Sequence, residues 1–277
     1  MGRRFDPDRA HNRDLIPMEG GKMRRVQLTR YGIPDFYVDP LAESKYGLGF
    51  WDSAETGNWE SEQISDLTAF AKSGAFFIDV GASNGVYSLL MASLGCEVIA
   101  IEPDEAQFSA MKVNRDLNPE LKIECRKGLI VSSARVALSP YALDLKTNNI
   151  NSLEKIHFSS LLRMSDQSIV KIDIEGGEWA LLRDKGVVKD LIRHNDLKLF
   201  LSPHIGFYSK DYHKGILHRL KFRISVLREL YTLYIFARKA NSITYLGLKT
   251  NPLALLRQDR LFGGAGLRSH IIFEYSK

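Results

Sequence analysis

A short apolar run followed at once by a glycine-bracketed turn is the most constraining feature of this chain. Residues 75–80 read AFFIDV, residues 81–85 read GASNG, and residues 86–94 are again almost wholly apolar. A run apolar on both faces belongs to a strand covered by helices on both sides. A tight turn into an apolar helix then makes the first half of a βαβ unit.

The same alternation continues downstream. Residues 97–101 (EVIAI) form a second buried strand, residues 106–117 a second helix, and residues 121–124 a third strand. Further strands are expected over 168–173, 198–202, 243–248 and 271–275, with a helix over 176–182. Together these predict an α/β fold, a Rossmann-like seven-stranded, mostly parallel sheet with helices on both faces. Residues 58–72 carry helical spacing at Ile64, Leu67 and Phe70, with Asn58 as the expected N-cap. Residues 126–151 turn β-like and irregular, and a hairpin insertion is expected there. The domain division expected is an N-terminal flexible or accessory segment over 1–50 and one catalytic-type domain over 51–277. Within it, residues 205–242 form a helical, basic, substrate-selecting insertion.

Charge and composition narrow the classes. The chain has 277 residues, a net charge of +5, and two cysteines in no metal-binding spacing. A disulfide scaffold and a zinc site are both disfavoured, and the cytoplasm is the default compartment. The opening stretch lacks the apolar core of a secretory signal. No window reaches the roughly 20 apolar residues of a membrane span. The histidines show no tight ligand spacing, so no metal site is expected. The basic, aromatic stretch from Tyr208 to Arg223 reads as a helix with a solvated face; nucleic acid is not the expected partner.

Three motifs carry the chemistry. In the first, Asp79 closes the strand and Gly81, Ala82, Ser83, Asn84 and Gly85 form the turn. The glycines let the backbone pass close to a ligand, and the helix beyond offers N–H donors. A carboxylate at Asp79 would repel a pyrophosphate but suits a ligand carrying an ammonium group, and the spacing is not GxGxxG. Both points favour S-adenosylmethionine over NAD. In the second, Glu102 and Pro103 end the next strand about twenty residues on, where a carboxylate accepts hydrogen bonds from ribose hydroxyls. In the third, residues 171–178 read KIDIEGGE. Strand alternation puts Lys171, Asp173 and Glu175 on one side. Carboxylates crowded at a strand's carboxyl end need partners, and Lys171 is one.

These residues resemble the FkbM-type methyltransferases. DVGASNG looks like that family's DVGAN-x-G turn, with Ser83 where the family usually has Asn and the Asn one place later as Asn84. Ile101-Glu102-Pro103 matches its second motif, and KIDIEGGE is similar to K-I-D-x-E-G-x-E. Trp59-Glu60, the region of Asn114 and Asn118, and the strand end at His204 also look like family features. The resemblance covers residues 57–204. It implies a class I methyltransferase that uses S-adenosylmethionine to methylate a hydroxyl of a sugar, glycan or other natural product. Methyl transfer needs the alcohol oxygen within roughly 3–3.5 Å of the methyl group, with a base to take its proton. His204, Asp173 and Glu175 are the candidates for that catalytic role. The readings set against this one are an NAD-dependent oxidoreductase on the same fold and a nucleic-acid methyltransferase.

Overall fold

In the computed structural model the FFIDV run is buried at every position. The residues described are 15–18, 21–40, 50–131, 153–162, 167–174, 176–204, 216–256 and 270–276. In chain order the strands are β1 (Leu15–Met18), β2 (Gly21–Val26), β3 (Phe36–Val38), β4 (Phe76–Val80), β5 (Glu97–Glu102), β6 (Ile123–Val131), β7 (Glu154–His157), β8 (Ser168–Ile172), β9 (Asp196–Leu201), β10 (Ser242–Tyr245), β11 (Leu248–Thr250) and β12 (Ile271–Ser276). The α-helices are α1 (Phe50–Thr56), α2 (Ser61–Phe70), α3 (Val86–Ser93), α4 (Glu105–Asp116), α5 (Glu178–Arg183), α6 (Lys185–Arg193), α7 (Ile216–Ala237) and α8 (Pro252–Leu256).

Nine strands form one sheet in the order β11-β10-β12-β9-β8-β4-β5-β6-β7. The run from β9 to β7 is parallel throughout, and β12 enters antiparallel between β9 and β10. This is a Rossmann-like α/β fold. The seven strands expected from the sequence are all present. The sheet extends past them by β7 at one edge and β11 at the other, both short and mostly solvated, which leaves them little apolar signal.

Strand alternation divides the core in two. Phe76, Ile78 and Val80 of β4, Val170 and Ile172 of β8, and Leu197, Leu199 and Leu201 of β9 face α5, α6 and α7. Phe77 of β4, Val98 and Ala100 of β5, and Phe200 of β9 face the other way, against Ile64 and Leu67 of α2 and the apolar α3. Burial of each such side chain stabilises by about 1.5–3 kcal/mol. Both faces must be covered, so the strands read as continuous apolar runs.

The segment before residue 50, expected as flexible or accessory, contributes a three-stranded antiparallel sheet, β1-β2-β3. Val26, Leu28, Phe36 and Val38 join the core of the α2 and α3 face, and Phe36 meets Trp51 edge to face at 5.7 Å. Two asparagines of the α4 region fasten it. The Asn118 side chain accepts from Tyr37 N at 2.7 Å and donates to Tyr37 O at 2.7 Å. Asn114 accepts from Asp39 N at 2.9 Å.

Two local expectations change. Asn58 is not the N-cap of α2: that place falls to Glu60, in the left-handed region at φ 40° with no side-chain cap bond. Asn58 instead lies in the turn after α1, its backbone N bonded to Ser53 O. Of the expected hairpin over 126–151, residues 126–131 instead continue β6 in parallel pairing with β5 and β7, and 132–151 lie outside the described residues. Of the expected helical insertion over 205–242, α7 is the described part, running from Ile216 to Ala237.

Candidate functional site

Strand β4 has β5 on one side and β8 on the other, so successive connections leave it in opposite directions. A crevice opens outside the carboxyl ends of the strands at such a switch point, where open α/β sheets hold ligands. The turn 81–85, Glu102, Asp173 and His204 all fall at these strand ends.

The turn is built by backbone. Gly81 N and Ala82 N both donate to Ile101 O at 3.0 Å, and Gly85 N closes back on Ala82 O at 2.9 Å. Gly81, Ser83 and Gly85 all have positive φ, at 84°, 54° and 87°. Both glycines also have close protein neighbours. A Cβ on Gly81 would lie 2.1 Å from Asp173 O, and one on Gly85 would lie 3.0 Å from Met111 Cγ. The space at Gly81 belongs to the neighbouring strand end, and that at Gly85 to α4. Ser83 carries the unusual left-handed backbone because Glu102 holds it: Glu102 Oε2 accepts from Ser83 N at 2.8 Å. Glu102 Oε1 accepts from Asp104 N at 2.9 Å. The carboxylate is thereby fixed by two backbone N–H groups. Pro103 carries the chain from Glu102 to Asp104, which N-caps α4 through Gln107 N. Asn84 is buried; its carbonyl takes Asn114 Nδ2 at 3.0 Å, while its Oδ1 has no hydrogen-bond partner.

Asp79 does not stand at the crevice surface. It is fully buried and sits beside Lys171 in the β4–β8 register. Its Oδ2 accepts from Ser88 Oγ at 2.7 Å, and its Oδ1, without a hydrogen bond, lies 3.9 Å from Lys171 Nζ. Lys171 Nζ also donates to Asp173 Oδ2 at 3.1 Å and lies 4.8 Å from the centre of the Tyr87 ring. The Tyr87 hydroxyl in turn donates to Glu60 Oε2. One ammonium group thus serves both Asp79 and Asp173. Burial pushes Asp79 above the usual aspartate range, against the opposing pull of Lys171 and Ser88. Burial likewise raises Glu60. Burial alone would lower Lys171, but Asp173, Asp79 and Glu60 outweigh it and hold the ammonium above the ordinary lysine value.

The strand ends also bring Asp173 and His204 together. His204 Nε2 lies 3.6 Å from Asp173 Oδ1, and its Nδ1 lies 3.2 Å from Glu178 Oε1. That same Oε1 accepts from His204 N at 2.7 Å, and Glu178 Oε2 accepts from Gly176 N at 2.8 Å. Glu178, with no solvent exposure, therefore fixes both the backbone and the ring of His204. Glu175 lies outside the described residues. Sequence reasoning missed Tyr87, Ser88 and Gln107, the last of which meets Ser83 Oγ at 3.0 Å. Tyr87 and Ser88 were legible only as polar groups at the start of an otherwise apolar helix. Among the described residues no group of three or more His, Cys, Asp or Glu side chains could hold a metal ion.

No family model matches the chain. Over 87 residues it is 31% identical to the ribosomal protein L11 methyltransferase of Campylobacter concisus, a stretch covering 31% of this chain and 28% of that protein. The chain thus spans little more than a quarter of that relative's length. Among solved structures it is similar to the Pyrococcus abyssi tRNA (uracil-54, C5)-methyltransferase in complex with S-adenosyl-L-homocysteine (9% identity, TM-score 0.41, 91% of this chain and 44% of that one). It is similar also to a SAM-dependent methyltransferase from Agrobacterium tumefaciens (12% identity, TM-score 0.38, 92% of this chain and 70% of that one).

Proposed function

We propose that this chain is an S-adenosylmethionine-dependent methyltransferase whose acceptor is a hydroxyl group. The observation that supports it most is the fixed Glu102 carboxylate beside the 81–85 turn at the sheet's switch point, with the Asp173–His204–Glu178 group at the adjoining strand ends. The local 31% identity to a curated methyltransferase supports the same donor. It does not reach the acceptor.

The residues fit the donor. Glu102 ends β5 at the place where a carboxylate accepts from the ribose hydroxyls of a nucleoside ligand. Asn84 Oδ1 is a buried acceptor with no hydrogen-bond partner among the described residues, suited to a ligand with an N–H group. Ala82, Ser83 and Gly85 lead into α3, whose first turn has no side-chain cap. When bound, S-adenosylmethionine supplies an electrophilic methyl group. The chain's own residues then handle the acceptor. Asp173 orients the acceptor hydroxyl, and His204 Nε2 takes its proton, since imidazole ionises in the working range. Glu178 is a positioning residue that sets the ring and favours a proton on Nδ1. Glu175 stands beside Asp173 in sequence as a third candidate. The likeness of KIDIEGGE to the FkbM-type stretch supports oxygen as the acceptor atom, on a sugar, glycan or other natural product.

The test is titration of S-adenosylhomocysteine into Glu102→Ala and Asp79→Ala. Glu102→Ala should weaken binding by about tenfold, the loss of roughly 1.5 kcal/mol from a charged hydrogen bond. Asp79→Ala should weaken it through the turn. Unchanged affinity in both would make the turn purely structural and end the reading. An active His204→Ala enzyme with an unaltered pH profile would remove His204 as the base.

A further inference from the structure

Helix α7 is apolar on two opposite faces. At about 100° per residue, Val226, Leu230, Leu233, Phe236 and Ala237 form one stripe, and they pack into the core. Ile224, Leu227 and Tyr231 form another on the far side, and they are 56%, 65% and 66% exposed. Ile235 continues the second stripe. A helix that only covered a sheet would show polar residues there.

The stripe does not end in open surface. Tyr231 and Ile235 pass into a cleft of about 620 Å³ between α7 and the α5–α6 pair. Leu182, Val188, Ile192 and Phe236 give it an apolar floor. Its rim carries Arg183, Lys185, Lys189, Arg193 and Lys239, and among the described residues no acid lines it. Arg228 on α7 and Arg238 just past its end are exposed beside the stripe. Glu229, the acid of this part of the helix, is turned inward and buried, with Ser225 Oγ donating to it at 3.1 Å. No residue of the crevice at the strand ends lines the cleft.

We propose that the outer face of α7 and the adjoining cleft dock the chain on an anionic lipid membrane. Charge complementarity selects that occupant. A row of exposed aliphatic and aromatic side chains bordered by cations has the make-up of a helix lying in the headgroup boundary: the apolar row enters the acyl edge and the cations meet phosphates. A nucleic acid would use the cations but leave Ile224 and Leu227 in water. A second copy of this chain would set one cationic rim against another. Among the described residues no helix is long and apolar enough to cross a membrane. The inference does not depend on the proposed methyl transfer.

Co-sedimentation of the full chain with vesicles tests it. Vesicles containing one third phosphatidylglycerol should capture the chain, and pure phosphatidylcholine vesicles should not. Raising the salt should release most of it, since surface charge attraction is screened. Lys185→Glu/Lys189→Glu/Arg193→Glu, all at exposed positions, should lower partitioning by about a hundredfold. Leu227→Ser/Tyr231→Ser should lower it by about tenfold. Circular dichroism melts matching the parent chain show that neither variant has lost its fold; a variant that has is replaced by Arg228→Glu/Lys239→Glu or by Ile224→Ser. Three results would overturn the proposal: equal recovery with neutral and anionic vesicles, equal recovery of parent and folded variants, or no vesicle binding alongside RNA capture or self-association that the same substitutions abolish.

Discussion

Gly81→Ala puts a methyl group where the structure leaves least room for one. The ideal Cβ would stand 2.1 Å from the carbonyl oxygen of Asp173. That oxygen cannot retreat freely, because Asp173 N is bonded to Val80 O at 3.0 Å, the last rung between the two central strands. Two costs add. A non-glycine residue at φ 84° carries about 1–2 kcal/mol of left-handed strain. Overpacking against fixed backbone adds about 1–3 kcal/mol. Two other glycines separate them. Gly74 has φ 82° with nothing within 4 Å of the added Cβ, so Gly74→Ala isolates the strain. Gly85 has φ 87°, and its added Cβ would lie nearest Met111 Cγ at 3.0 Å, in a side chain that can give way. The expected order of stability loss is Gly74→Ala, then Gly85→Ala close behind, then Gly81→Ala at about 3 kcal/mol or more. In thermal melts a chain of this size shifts by about 2 °C per kcal/mol, so Gly81→Ala should fall at least 6 °C. A Gly81→Ala protein melting with Gly74→Ala would refute the claim that the Asp173 carbonyl dictates this glycine.

Lys171→Met removes the cation shared by Asp79 and Asp173 and should cost about 3–5 kcal/mol at neutral pH. Lys171 contributes fully below the unfolded lysine value and loses that contribution only as pH rises through its higher folded value. Asp79, whose folded value is also raised, favours folding in its protonated form; without Lys171 the deficit should shrink towards acid pH, as urea midpoints at about pH 5 and about pH 8 would show. A deficit independent of pH would contradict this account. Asn118→Ala breaks both bonds to Tyr37 and should cost about 2–3 kcal/mol. Limited proteolysis should then release the β1-β2-β3 sheet faster than in the parent chain. Burial pushes the Cys96 thiol up to about 11 and raises Cys125 as well, so alkylation by iodoacetamide near neutral pH should be slow until the chain is unfolded.

The central strands were legible because both their faces are buried: FFIDV and SIVKI are apolar or paired at every position. Lys171 and Asp173 also fell on one side of β8, as alternation required. The antiparallel sheet before residue 50 was not legible, because its strands are short and two asparagines far along the chain hold one of them. Nor could the sequence reveal why Gly81 is glycine, since the reason is a carbonyl on another strand. The pairing of Glu178 with His204 joins two strand-end loops. Each was noted in the sequence as a separate acid and a separate histidine, and only parallel neighbours β8 and β9 bring them within 3.2 Å. The Tyr87–Glu60 bond was hidden in the same way, by a left-handed residue at the head of α2.

The central claim is that the 81–85 turn and Glu102 hold S-adenosylmethionine rather than a nicotinamide dinucleotide. Calorimetric titration of the full chain with S-adenosylhomocysteine and, separately, with NADH tests it most directly. S-adenosylhomocysteine should bind saturably, and NADH should give no heat of binding. Saturable NADH binding with no response to S-adenosylhomocysteine would contradict it.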